Sequence, residues 1–299
     1  MTQKKLTVSA VMPNLDGEKL LEKNLPLLLK AAKNPRNSIK EIIIVDDGSR
    51  DGSTKLISSV FPEVKLIKHR INRGFPASVN TGVRAAKGDL ILLINTDVIP
   101  SEDFLVPVFK HFEDGKVFAV SLHEKGYGWA KARFSEGFIE LAMGGEGNSP
   151  HPSFYVSGGS GVFRRKIWTE LGGMDEKLLS PFYWEDLDLC YRAAKRGYIN
   201  LWEPEGKVLH NHESTIGKLP KSRVRHIRER NQLLVIWKNI GSQSLIRKHI
   251  AGLLSRLVRH PGYIRIVISA LVRLGQVIRA HRREIKESKV SDETIFSRF

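Results

Sequence analysis

Cysteine is nearly absent from this sequence: Cys190 is alone among 299 residues. No intrachain disulfide can form, which fits a reducing compartment, and a single thiol without a ligand cluster reads as core packing. Long apolar runs are missing too. Nothing approaches the ~18 uninterrupted apolar residues that a membrane-spanning helix needs, and the opening MTQKKLTVSAVMPN is too short in its apolar part for a signal h-region. The expectation is a cytoplasmic chain that does not cross a membrane. Also lacking are a G-x-G-x-x-G turn after a strand and a P-loop GKS or GKT, which disfavours a nicotinamide or ATP enzyme.

Acid is the last scarcity, and it is local. Between Ser214 and Arg283 there are sixteen Lys and Arg against the single acid Glu229, whereas the whole chain carries a net charge of +16. The remainder is therefore nearly neutral, and the C-terminal part needs an anionic partner, lipid headgroups or nucleic acid. Nucleic acid would call for aromatic platforms among the cations, and the stretch offers only Trp237 and Tyr263. No nucleic acid is expected. Arg265, Ser269, Arg273, Gln276 and Arg279 or Arg283 recur at helical spacing as one polar stripe among Ile, Val and Leu. That pattern suits an interfacial helix on an anionic membrane surface, residues 215–283 supplying the contact; the alternative is a helix packed on the rest of the protein with its arginines in water.

The first half alternates apolar runs with helical stretches. Strands are expected over Leu6 to Met12, Glu41 to Val45, Val64 to Lys68 and Leu90 to Ile94. Helices are expected near Gly17 to Lys33, Gly52 to Val60 and Phe75 to Lys87, with another after Pro100. Such alternation means an α/β fold with a mostly parallel sheet flanked by helices, and ligands then bind beyond the carboxyl ends of the strands. Those ends read PNLDG, DDGSRDGS and NTD. From Lys116 to Gly161 the sequence is Gly-rich and reads as irregular loops over a site; after Thr215 it turns helical and basic.

Ser49, Asp51 and Ser53 suit a helix cap. Capping does not require two consecutive carboxylates, so one of Asp46 and Asp47 is assigned to a ligand base or ribose. At INTDVIP a carboxylate closes a buried strand, where a dry, unpaired charge costs several kcal/mol. Asp97 is either a helix cap or a ligand for a hard cation completed by diphosphate oxygens and waters. In FYWEDLDLCYRAAKRGY, acids open and bases close a helix, as the dipole favours. Tyr183 and Trp184 crowd those acids, and aromatic walls raise a carboxyl pKa toward that of a base or form a shelf for substrate.

The strand tips, NRGFPASVNTGVRAAKGDLILLINTDVIP, GGSGVFRR, LGGMDE and FYWEDLDLCYRAAKRGY together resemble the family 2 glycosyltransferases of GT-A fold, over about Leu6 to Gly217. The WED region is most similar to that of bacterial rhamnosyltransferases. The resemblance implies a GT-A domain over 1–214, with a donor-nucleotide half, 1–98, and an acceptor half, 99–214, followed by a basic helical extension, 215–299. It implies an inverting transfer from a nucleotide-sugar donor to a carbohydrate or lipid-linked acceptor, assisted by Mg2+ or Mn2+, in surface polysaccharide or glycolipid assembly; the charge pattern alone makes the expected enzyme peripheral to the membrane. Asp97 matches the metal-binding acid of the DxD element, and Asn95 stands where its first acid falls, leaving a donor ribose contact. Asp46 matches the nucleobase acid, with Asp47 beside it; Pro13 and Asn14 match the first nucleotide loop, where Leu15 and Asp16 depart from the usual Tyr-Asn. Arg73 is assigned to donor phosphate or base, or else to solvent. Asp186 matches the general base, with Glu185 and Trp184 at the acceptor. His210 and His212 match the region of a metal or diphosphate ligand. The competing reading is an inactive scaffold of the same fold bound to an anionic membrane.

Overall fold

In the computed structural model, residues 5–211, 217 and 219–299 are described. The first half winds as the alternation predicts: β1 (Val8–Asn14), α1 (Glu18–Lys33), β2 (Ile39–Asp46), α2 (Ser53–Val60), β3 (Lys65–Lys68), α3 (Phe75–Ala85) and β4 (Leu90–Ile94). The strands β3-β2-β1-β4 lie side by side and parallel. Every residue of β4 is fully buried, because helices cover both faces of the sheet, each large aliphatic side chain contributing roughly 1.5–3 kcal/mol. Helix α1 buries Leu21, Leu25 and Leu28, one stripe at helical spacing.

Beyond β4 the strand direction mixes. The strands β5 (Val98–Pro100), β6 (Val117–Glu124), β7 (Ala130–Ser135), β8 (Phe138–Met143), β9 (His151–Pro152), β10 (Ser160–Arg164) and β11 (Ile199–His210) follow, with α4 (Val106–Phe109), α5 (Arg165–Glu170) and α6 (Glu185–Lys195) among them. β10 runs antiparallel between β4 and β6, β11 runs parallel to β6, and β5 closes the edge antiparallel to β11. The fold is the α/β class expected, with a mostly parallel sheet.

Two expectations fail locally. The stretch from Lys116 to Gly161 is not irregular: it holds β6 to β9, and β7 pairs with β8 as a hairpin. Irregular backbone is confined to shorter connections, the 144–150 segment among them, while Gly137 marks a tight turn. Glu136 and Gly137 both take positive φ, 48° and 82°, the backbone a two-residue hairpin turn demands. The expected helix after Pro100 is short: α4 starts only at Val106 and passes into a 3-10 turn over Lys110–Glu113.

The C-terminal part forms α7 (Lys221–Asn239), α8 (Gln243–Arg259), α9 (Ile264–Leu271), α10 (Leu274–Glu287) and α11 (Asp292–Phe296). The polar stripe read from 265 to 283 is not one straight helix, since α9 and α10 meet at 70°. Ser269 and Arg273 are partly buried, Ser269 holding His226 of α7 at 3.1 Å. No single helix among the described residues is long and apolar enough to cross a membrane. These helices share their core with the preceding domain: Phe154, Leu179, Trp184 and Tyr191 pack in one cluster with Leu233, Ile236, Val267 and Ile295.

Candidate active site

A cavity of about 680 Å3 opens beyond the carboxyl ends of β1 and β4. Pro13, Asn14, Asp47, Asn95, Asp97, Glu185 and Asp186 all line it. The two carboxylates on which the reading turns, Asp97 and Asp186, face a common space.

The β5–β11 register sets His210 opposite Val98 and thus beside Asp97. His210 Nε2 lies 3.2 Å from Asp97 Oδ1, and its Nδ1 lies 3.0 Å from Oε2 of Glu124 at the end of β6. Glu124 Oε1 in turn accepts from Ser160. Burial would depress the His210 pKa, but its contacts to Asp97 and Glu124 outweigh that and raise it to about 9. Asp97 is 3% exposed, and its second oxygen, Oδ2, has no hydrogen-bond partner among the described residues. An unsatisfied buried carboxylate oxygen needs a cation or a donor. With an imidazole beside it, steadied through its other nitrogen by a carboxylate, the arrangement fits a divalent ion with one acid and one histidine from the protein. Among the described residues no three His, Cys, Asp or Glu side chains form a complete cage. His212 lies outside the described residues.

The loops after β1, β2 and β3 are tied by the acids of DDGS. Asp46 accepts from Asn14 Nδ2 at 2.9 Å and from the Ser49 N–H at 3.0 Å. It borders a neighbouring depression with Ser49, Lys68 and Arg70 instead of the main cavity. Asp47 accepts from the backbone of Arg73 and Gly74 at 2.9 and 2.8 Å and meets His69 Nδ1 at 2.6 Å. It thereby fixes the NRG loop, and Gly74, at φ 91°, lies so close that a Cβ would come within 2.9 Å of Pro181 backbone. The Arg73 side chain turns to Glu176 at 3.1 Å, away from the cavity.

Across the cavity, Tyr183 and Trp184 take φ of 72° and 76°, a left-handed pair costly for aromatic residues. Asn231, buried in α7, holds it by donating to the carbonyls of Leu179, Phe182 and Tyr183 at 2.9–3.0 Å. The turn sends Trp184 into the core, 9% exposed, so it cannot be the substrate shelf the sequence suggested; Tyr183, 37% exposed, lines the cavity instead. Asp186 is aimed by the Gly158 N–H at 3.2 Å and the Leu187 N–H at 2.7 Å. Burial raises the pKa of Asp186, and burial together with the Asp186 charge raises that of Glu185 well above the usual carboxyl range. Glu185 Oε2 has no partner among the described residues.

Glu185 therefore costs the folded state stability once the unfolded chain ionises. Below the ordinary carboxyl pKa of about 4.3 both states hold the proton; above it only the folded state does. Glu185→Gln, which has no such proton to hold, is expected to gain roughly 1 kcal/mol or more at pH 8, since each unit of pKa difference is worth about 1.4 kcal/mol, and nothing at pH 4. Denaturant melts at the two pH values measure it.

Sequence reading missed Glu124, which sits in HEKGYG within the supposedly irregular stretch. It also missed Leu219 and Arg223, which reach the cavity from the C-terminal part. Their only sequence signal is the charge excess that begins there.

The mixed sheet, with carboxylates at its strand mouths and a second acid pair across the cleft, has GT-A architecture. The sequence model described as glycosyl transferase family 2 matches residues 9–172, and the chain belongs to that family. It is 29% identical over 185 residues to the pre-mycofactocin glycosyltransferase of Mycobacterium tuberculosis, covering 58% of this chain and 38% of that one. It is 24% identical to the N-acetylglucosaminyl-diphospho-decaprenol L-rhamnosyltransferase of the same species, over 68% of this chain and 75% of the relative. Among solved structures, a mannosyltransferase from Pyrobaculum calidifontis with GDP-Man and Mn2+ superposes with a TM-score of 0.58 at 16% identity, over 95% of this chain and 86% of that one. GalNAc-T7 with UDP, GalNAc and Mn2+ gives a TM-score of 0.64 at 17% identity, over 80% and 49%.

Proposed function

We propose that this glycosyltransferase moves a sugar from a nucleotide-diphosphate donor to a hydroxyl of a carbohydrate or lipid-linked acceptor, with inversion, in polysaccharide or glycolipid assembly. The observation that carries the reading is the common cavity of Asp97 and Asp186. The acceptor hydroxyl attacks the anomeric carbon from the face opposite the diphosphate. A glycosidic bond forms, the bond from carbon to phosphate oxygen breaks, the hydroxyl proton passes to Asp186, and the nucleoside diphosphate leaves. Asn14, Asp47 and Asn95 are donor contacts in the cavity. Asp46 is next to them, and Arg223 adds a positive charge. Asp97 and His210 would hold a divalent cation, Mn2+ or Mg2+, whose charge offsets that of the departing diphosphate. Glu185 and Tyr183 are placed to meet the acceptor. The reading locates the chain on the cytoplasmic face of a membrane, which its single buried thiol suits.

The test is nucleoside diphosphate release by the full chain from UDP-, GDP- and dTDP-sugars with Mn2+ and candidate acceptors. Release that Asp186→Asn abolishes supports the reading; no release from any donor, or release equal in both proteins, ends it. The metal role has its own check. If Glu124 orients His210, Glu124→Gln weakens Mn2+ binding roughly 10–100-fold, read by Mn2+ electron paramagnetic resonance without turnover.

A further inference from the structure

Helix α8 is apolar on two faces, and the fold uses only one. Leu245, His249, Leu253 and Leu257 turn toward the core, where the His249 ring bonds the Gly137 carbonyl at 2.6 Å. Ile246, Ile250, Leu254 and Val258, spaced four apart, form a second stripe that is 36–80% exposed. The same duplication recurs in α9: Ile266, Val267 and Ala270 are buried, while Ile264, Ile268 and Leu271 are 45–54% exposed. At the bend into α10, Val272 is 79% exposed. Of nineteen large apolar side chains exposed among the described residues, eleven lie between Ile246 and Ile285. Chance scatter does not produce that concentration, and unpartnered apolar stripes of this kind mark docking surfaces.

The charge around the stripes selects the partner. From Gly241 to Arg283 there are nine Lys and Arg and no Asp or Glu. Arg247, Lys248, Arg259 and Arg265 are exposed beside the apolar side chains, and Arg247 and Lys248 form no ion pair among the described residues. A second copy of this chain would bring the same cations against themselves. An anionic bilayer supplies both an apolar layer for the stripes and negative headgroups for the flanking cations. We propose that the α8 stripe and the exposed face of α9 form a docking surface that lies in the headgroup layer of an anionic membrane. The bend between α9 and α10 replaces the straight helix read from sequence, and the longer stripe lies on α8, within the expected 215–283 contact but outside that helix. The proposal gives the lipid-linked acceptor of the proposed function a surface to come from, yet it stands on different residues.

Flotation of the full chain with vesicles tests it. Binding is expected to phosphatidylcholine vesicles containing phosphatidylglycerol, to weaken at high salt, and to be slight with phosphatidylcholine alone. Leu254→Glu with Val258→Glu should abolish it, and Arg247→Glu with Lys248→Glu should reduce it on the order of tenfold or more, both with unchanged circular dichroism. Equal flotation of wild type and the Leu254→Glu, Val258→Glu variant overturns the proposal. So does a chain that dimerises through the stripe, or captures single-stranded DNA, without binding vesicles. Vesicle binding without donor turnover leaves this surface standing and removes the transferase reading; turnover without vesicle binding does the reverse.

Discussion

Asp186→Asn is expected to lower kcat on the order of 10^2- to 10^4-fold, the range general-base catalysis supplies, with donor affinity unchanged. The substitution is nearly isosteric, and its one amide oxygen can keep the 2.7 Å bond from the Leu187 N–H, giving up only the longer bond that Gly158 donates to the other carboxylate oxygen, so the loop should keep its shape. What disappears is the proton acceptor. The wild-type pH profile carries a second signature. Burial raises the Asp186 pKa, and the base works only when ionised, so turnover should fall as pH drops through a value above the ordinary aspartate pKa of about 3.9. In Asp186→Asn that acid limb should vanish from the residual rate. Donor binding by calorimetry, set beside steady-state rates from pH 5 to 9 or thereabouts, separates the effects. Retention of more than about a tenth of wild-type turnover would mean that Asp186 is not the base.

Much of the donor half was legible because its signals are local. A five-residue apolar run, LILLI, is β4, and apolar residues at 21, 25 and 28 make the inner face of α1. The paired acids and the NTD tip stood out as charges where burial made them expensive. The failures lie where the information is not local. Trp184 adjoins Glu185 in sequence, and adjacency suggested a wall beside the acid; the left-handed backbone at Tyr183 and Trp184, fixed by Asn231 about fifty residues further on, turns the indole into the core. Glu124 reaches His210 only because β6 and β11 are parallel neighbours, with Val208 beside Glu124. No spacing in the chain announces that. The C-terminal part was read for its charge and one polar stripe, with packing on the rest of the protein as the alternative, and neither revealed that its helices complete the core and hold the turn before Asp186.

That last dependence sets the largest expected loss of stability. Lys238→Met should destabilise the protein by roughly 3–5 kcal/mol, the cost of breaking a buried ion pair from one side. Lys238 of α7 is fully buried, its ammonium 2.8 Å from Asp175 and 2.9 Å from Asp188. Asp188 also accepts from Arg192 at 2.8 Å and from Asn239 at 2.8 Å, while Arg192 donates to the carbonyls of Leu171 and Gly173. The third acid of WEDLD is thus a clamp between α6, the LGGMDE loop and α7. Burial alone would raise its pKa, but Lys238 and Arg192 hold it far below the usual aspartate range. A depressed carboxylate contributes its full stability above the unfolded value of about 3.9 and loses it as pH falls through the lower, folded value. Wild type should therefore lose stability only in strong acid. Lys238→Met should carry its deficit across neutral pH, and because Asp188 then titrates higher, should begin acid unfolding at a higher pH. Urea melts at pH 7 and pH 4 decide it: a deficit below about 1 kcal/mol at neutral pH, the size of an exposed pair, would mean that the C-terminal helices are held by their apolar core and not by this network.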